Sequence, residues 1–143
     1  MYDHQRDVPL LLAGAAATDA DIALGTAAVV AVAYAGLQPF KVTDLTAQVV
    51  TTFDTADTVL TVTRRPTPGS GTGAVTIGTL TIPNAAAAPN VYYKEFDPVT
   101  ISPGEEIVIS TDGGTTNGTA ILRLGSRPAW EHPSNNSKLI ASA

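Results

Sequence analysis

The side chains that could do chemistry are few and scattered: His4 and His132, the aspartate pairs Asp19/Asp21 and Asp54/Asp57, and the adjacent glutamates Glu105 and Glu106. An acid–base histidine needs a held orientation and a partner that orients it. His4 sits in the polar opening MYDHQRDVP and His132 in a proline-flanked tail, and neither setting predicts such a hold. Paired aspartates could offer oxygens to Ca²⁺, which takes about six to eight of them. No EF-hand or glycine-aspartate repeat surrounds these pairs, so they are expected to be turn and cap residues that accept from local backbone N–H groups. Glu105 and Glu106 are neighbours, so on a strand they point to opposite faces and cannot act together as a glycosidase pair.

Gly69, Gly71 and Gly73 give a glycine-rich loop, but Ala74-Val75-Thr76-Ile77 follows it as a strand, whereas a phosphate-cradling loop must open a helix. The chain has no cysteine, hence no thiol nucleophile and no Cys-ligated metal. Asn117-Gly118-Thr119 and Asn135-Asn136-Ser137 match the glycosylation sequon. With acidic residues where a secretory leader would carry basic ones, they read as turn residues. The inventory therefore predicts no enzyme: no catalytic residue, no cofactor-binding residue and no metal ligand is assigned.

What must position these residues is a set of short strands. At 143 residues the chain is the size of one domain with one core. Only 15% of residues are charged, against roughly 25% in ordinary soluble domains, so threonine, serine, asparagine and glycine must carry solubility. That balance suits an all-β exterior, because β-branched residues pack well on pleated surfaces. A formal charge of -5 without a basic stripe argues against nucleic acid. The longest apolar run, Ala27 to Ala35, is too short to span a bilayer as a helix.

Along the chain, Ala27 to Ala35 reads as a buried strand around Val29, Val30 and Val32. Val42 to Phe53 alternates cleanly, with Leu45, Ala47, Val49, Thr51 and Phe53 on an inner face and Asp44, Thr46, Gln48, Val50 and Thr52 on a wet one. Val59 to Arg65 follows a turn and ends at the exposed loop Pro66 to Gly71, where insertions should be tolerated. Val75 and Ile77 share one parity while Leu80 and Ile82 share the other, which predicts a bulge or bend at Gly78. Asp97-Pro98 is expected to end a strand running from Val91 to Phe96, with Val99 and Ile101 in a short one of their own. Tyr92 and Tyr93 should face opposite sides. Pro103-Gly104 forms a type II turn into Glu106 to Thr111, where Ile107 and Ile109 alternate with Glu106, Val108 and Ser110. After Asp112-Gly113-Gly114, Ala120, Leu122 and Leu124 resume the alternation.

About eight strands with short turns predict an all-β fold, a single antiparallel β-sandwich of jelly-roll or Greek-key kind. Residues 26–127 form the sandwich, 1–25 an N-terminal arm and lead-in, and 128–143 an extended C-terminal arm.

The short N-terminal arm, the strand order, and the segments TVLTVTRRPTPGSG, VTIGTLTIPN and SPGEEIVISTDGGTTNGTAILRL resemble those of small phage virion proteins that decorate or cement capsids. The resemblance covers roughly residues 26 to 127 and rests on turn and strand patterns, so no functional residue transfers position by position. It implies a jelly-roll sandwich, often trimeric, seated on the outer shell where major capsid proteins meet, and it implies no cofactor. The acidic charge suits a place away from packaged DNA. Partner contacts are then expected in the arms, at Leu10, Leu11 and Leu12 and at Trp130, Leu139 and Ile140, tryptophan being enriched among binding hot spots. The alternative is a carbohydrate-binding or adhesive sandwich of a fibre or tail, which would display several stacked rings on one face.

Overall fold

A computed structural model describes residues 21–35 and 37–129. Eight strands run β1 Ile22–Ala23, β2 Ala28–Tyr34, β3 Phe40–Thr51, β4 Thr58–Arg65, β5 Val75–Ile82, β6 Val91–Ile101, β7 Glu106–Thr111 and β8 Thr119–Pro128, with no helix among the described residues. The strands thus span Ile22 to Pro128, reaching past the expected sandwich limits of 26 and 127 on both sides.

The strands form two antiparallel sheets of four, ordered β1-β8-β3-β6 and β2-β7-β4-β5. The pairing is nested, for β1 pairs with β8, β2 with β7, β3 with β6 and β4 with β5. A long hairpin of this kind, folded at the β4–β5 loop and rolled so that successive pairs fall on alternate sheets, is the jelly roll. Added ladders from β3 to β8 and from β4 to β7 knit each sheet across its middle.

Period-two alternation explains the core. Leu45, Ala47 and Val49 of β3 and Ala120, Leu122 and Leu124 of β8 meet Leu60 and Val62 of β4, Ile107 and Ile109 of β7, and Ala31 and Ala33 of β2, all buried. Phe53, just past β3, closes one end of this core. Tyr92 packs against the core while Tyr93 is exposed, as adjacent strand positions require.

Three features depart from the periodic reading, each for a local reason. First, β6 runs unbroken through Asp97-Pro98. It is an edge strand, and its register with β3 jumps from Val42↔Val99 to Asp44↔Glu95, which sets Phe96, Asp97 and Pro98 opposite Thr43 alone. An edge bulge is where a strand tolerates proline. Second, the bulges on β3 bring Val42 inward, and Asp44, expected on the wet face, is buried. Third, Glu106 and Val108 are buried although they lie opposite Ile107 and Ile109 in parity, because β7 is interior, flanked by β2 and β4. Val108 lies between Val32 and Thr63 in register.

The bulge near Gly78 is present: Val62 pairs with Gly78 and Thr63 with Thr76, leaving Ile77 unpaired but packed against the core. Leu80 and Ile82 are buried, whereas Val75 is exposed.

Candidate functional site

Two groups of ionisable side chains lie at opposite ends of the sandwich, where they tie loops together. At one end Asp54, in the β3–β4 turn, is held from the β7–β8 loop. Its Oδ1 accepts from the Thr115 hydroxyl at 2.9 Å, from Thr116 N–H at 2.8 Å and from Asn117 N–H at 3.0 Å, and its Oδ2 accepts from Asn117 Nδ2 at 2.7 Å. In return Asp54 N–H donates to Thr115 Oγ1 at 3.1 Å, and that oxygen also accepts from Gly118 N–H at 2.9 Å. Thr115 N–H donates to the Thr58 hydroxyl, so the loop is bound to the start of β4 as well.

Hydrogen bonds that favour a carboxylate lower its pKa. The Asn117 backbone N–H, then its side-chain amide, then Thr116 N–H and the Thr115 hydroxyl hold Asp54 far below its ordinary 3.8, against a smaller opposing effect of burial. These partners are 61 to 63 residues away in sequence, so Asp54 is a long-range latch and not the local cap expected of it. Asp57 likewise reaches out, its Oδ1 accepting from Asn84 N–H at 2.8 Å. Asp112 accepts from Val59 N–H and from the nearby Gly114 N–H.

A pH dependence follows with a definite sign. A carboxyl whose folded pKa lies below its unfolded value adds stability that is complete above the unfolded value and disappears as pH falls through the folded one. Urea midpoints should therefore hold steady from neutral pH down to the ordinary aspartate value of 3.8 as far as Asp54 is concerned, and fall below it. Asp54→Asn should lower the midpoint at pH 7 and flatten this acid limb; an unchanged limb would remove Asp54 as its cause.

At the other end Glu105 and Glu106 face apart, as expected, and each meets its own arginine. Arg64 forks onto Glu105, with Nε at 3.2 Å and a terminal nitrogen at 3.0 Å, and Ser102 N–H donates to the same carboxylate at 2.9 Å. These contacts, Arg64 first, hold the Glu105 carboxyl below its ordinary value. Glu106 is buried, accepting from Arg65 at 3.2 Å and from Gly69 N–H at 2.9 Å. The 66–71 loop, expected to be exposed and tolerant of insertions, is largely exposed but pinned to β7 at Gly69.

Leu10, Leu11, Leu12, Trp130, Leu139 and Ile140, the expected partner contacts, lie outside the described residues, as do His4, Asp19 and His132. Among the described residues no three His, Cys, Asp or Glu side chains converge in a way that could hold a metal ion. A cleft of about 360 Å³ opens beside β1, lined by Ala23, Gly25, Thr26, Ala28, Val30, Thr116, Asn117 and Gly118, with neither an aromatic ring nor an ionisable group on its walls. On the outer face of the β1-β8-β3-β6 sheet, Val91 and Tyr93 are each 58% exposed, beside Gln48 and Thr46 in register.

The sequence pattern missed the latches. Thr115-Thr116-Asn117 offers Asp54 a row of N–H donors only after the fold brings positions 54 and 116 together, and no local spacing reveals that. The class defined by fold and side chains is an eight-stranded jelly roll whose ends are fastened by carboxylates. No family model and no curated protein matches the chain.

Proposed function

We propose that this chain is a structural virion protein that decorates and stabilises the outer surface of a phage capsid, binding where major capsid proteins meet. The observation that supports this reading is the nested strand order with both ends fastened, which makes the sandwich a stiff platform. Jelly rolls recur among viral capsid domains. In this reading the chain ends make the contacts. Leu10 to Leu12 and Trp130, Leu139 and Ile140 supply the apolar area that an interface core needs, and self-association as a homotrimer repeats those contacts at every site.

The test is occupancy of purified capsid shells by the full chain and by a chain lacking residues 130–143. Pro128 pairs with Phe40 and Ala129 N–H donates to Pro39 C=O, so truncation after Ala129 leaves both sheets whole. The full chain should band with shells and have a trimer's native mass, and the truncated chain should keep its β-sheet circular dichroism while losing occupancy. Full occupancy without the tail would reject the C-terminal contacts, and a monomer that ignores shells would reject the reading itself.

A further inference from the structure

Of the five asparagines in the chain, Asn117 alone precedes a glycine. Asparagine is a labile residue, and glycine after it removes both the side chain that would shield the next main-chain nitrogen and much of the resistance to turning the backbone. Once its proton has passed to solvent hydroxide, the Gly118 nitrogen can attack Asn117 Cγ. The new Cγ–N bond closes a five-membered imide, and the Cγ–Nδ2 bond breaks as ammonia leaves. Water then opens the ring, at Cγ to give aspartate or at the Asn117 main-chain carbonyl to give isoaspartate, and the Gly118 nitrogen regains its proton. The balance is one water consumed and one ammonia released.

The fold requires glycine at this place, since a Cβ on residue 118 would lie 2.7 Å from Thr115 Oγ1 and 2.8 Å from the Phe53 ring. Yet the folded chain engages both reacting groups elsewhere. Gly118 N–H donates to Thr115 Oγ1 at 2.9 Å, and Gly118 C=O accepts from Leu24 N–H at 3.1 Å. Attack needs the peptide unit between 117 and 118 to turn its nitrogen towards Cγ, into near-attack contact, and those bonds resist the turn. Asn117 is itself held by Asp54, its Nδ2 donating to Oδ2 at 2.7 Å and its main-chain N–H to Oδ1 at 3.0 Å. A carboxylate beside the amide also opposes the negative charge that attack would place there.

We infer that Asn117-Gly118 is a self-modification site which the Asp54 latch keeps intact, and that opening this end of the sandwich lets it convert in one direction only. Aspartate at 117 sets an acceptor and a second negative charge where Asn117 Nδ2 now donates to Asp54. Isoaspartate instead adds a carbon to the main chain within the row of N–H donors, Thr116, Asn117 and Gly118, that bind Asp54 and Thr115. Either product acts as a charge-adding modification placed against a carboxylate, and it keeps the latch from closing again. The inference stands apart from the capsid reading. A chain that has once opened at its β3–β4 and β7–β8 end carries a permanent covalent mark of having done so.

The tryptic peptide 95–123 contains Asn117 as its sole asparagine, so the mass change from amide to acid in that peptide reads the reaction directly. The full chain, incubated at mildly alkaline pH and body temperature, should convert at least about tenfold more slowly in buffer than in concentrated urea, since loss of hydrogen bonds to a charged group raises the open population by that much or more. This comparison needs no variant to fold. Asp54→Asn, kept below its urea transition, should convert about tenfold faster than the native chain, while Arg65→Ala, which weakens the opposite end, should leave the rate unchanged. Asn117→Asp, which carries one of the two products, should unfold at a lower urea midpoint than the native chain. Equal rates in buffer and urea, an unchanged rate in Asp54→Asn, or an equal rise in Arg65→Ala overturns protection by the latch, and an unchanged midpoint in Asn117→Asp overturns the one-way step.

Discussion

Arg65→Ala is expected to lower the unfolding free energy by about 3 kcal/mol, the cost of leaving a buried charge without its counter-ion. Glu106 is only 2% exposed, while the Arg65 side chain is 23% exposed. The arginine can recover water in the unfolded state and lose rather little on burial; the carboxylate cannot be hydrated in the folded state at all. With the guanidinium gone, Gly69 N–H remains its one described donor. The pair itself contributes little net stability, since desolvation of Glu106 offsets most of the attraction. Arg65 and Glu106 are direct cross-strand partners, so replacing both with apolar residues of similar size, Arg65→Met with Glu106→Leu, should return most of the loss. Arg64→Ala offers the internal control. That pair is more open, at 34% and 14% exposure, and its removal should cost no more than about 1 kcal/mol. Urea unfolding of the four proteins decides the matter. If Arg65→Ala and Arg64→Ala cost the same, burial of Glu106 is not what sets the energy.

Most of the sandwich can be read from alternation, because one wet and one dry face impose period two on β3, β4 and β8. The agreement on eight strands conceals two opposite differences. Two-residue β1 is too short to show any period, while β6 reads as two strands because Pro98 looks like a terminator. Proline punctuates a central strand but only bends an edge strand, and whether a strand lies at an edge is a property of the whole topology. The same reason hides the burial of Glu106. A glutamate on the outer parity reads as solvated unless one knows that β7 is flanked on both sides and that a loop folds back onto it.

The fastened ends were less legible than the strands. The aspartates of the 54–57 turn can be assigned to hydrogen bonding from residue type alone, since Asp favours turns. Which donors they find depends on the β7–β8 loop, for Asp54, and the β5–β6 loop, for Asp57, arriving at the same end of the sandwich as the β3–β4 turn, a consequence of the nested pairing. Glu105 and Glu106, by contrast, follow from pleat geometry: neighbours on a strand face apart, and each meets a different member of the adjacent Arg64-Arg65 pair.

At Gly78 the sequence pattern and the fold constrain one another, and Gly78→Ala should be clearly destabilising. The parity of apolar residues slips there, and the slip is realised as a bulge with Ile77 unpaired. Glycine is required for a reason beyond the bulge. A Cβ at position 78 would stand 2.5 Å from Cδ1 and Cε1 of Phe96, so the ring of β6 packs flat against bare backbone where the two sheets meet. Phe96 is buried at 7% exposure and belongs to the core cluster, so its ring has little room to retreat. Overpacking of this kind costs about 1–3 kcal/mol, and the upper part of that range is expected because the obstacle is a rigid ring. The clash predicts its own remedy: in Gly78→Ala with Phe96→Leu, the shorter side chain leaves space for the new methyl. The double variant should lose at least about 1 kcal/mol less than the sum of the two single losses, the coupling expected of residues in direct contact. Strictly additive losses in urea unfolding would show that Gly78 is needed for its backbone at the bulge and not for the space it gives Phe96.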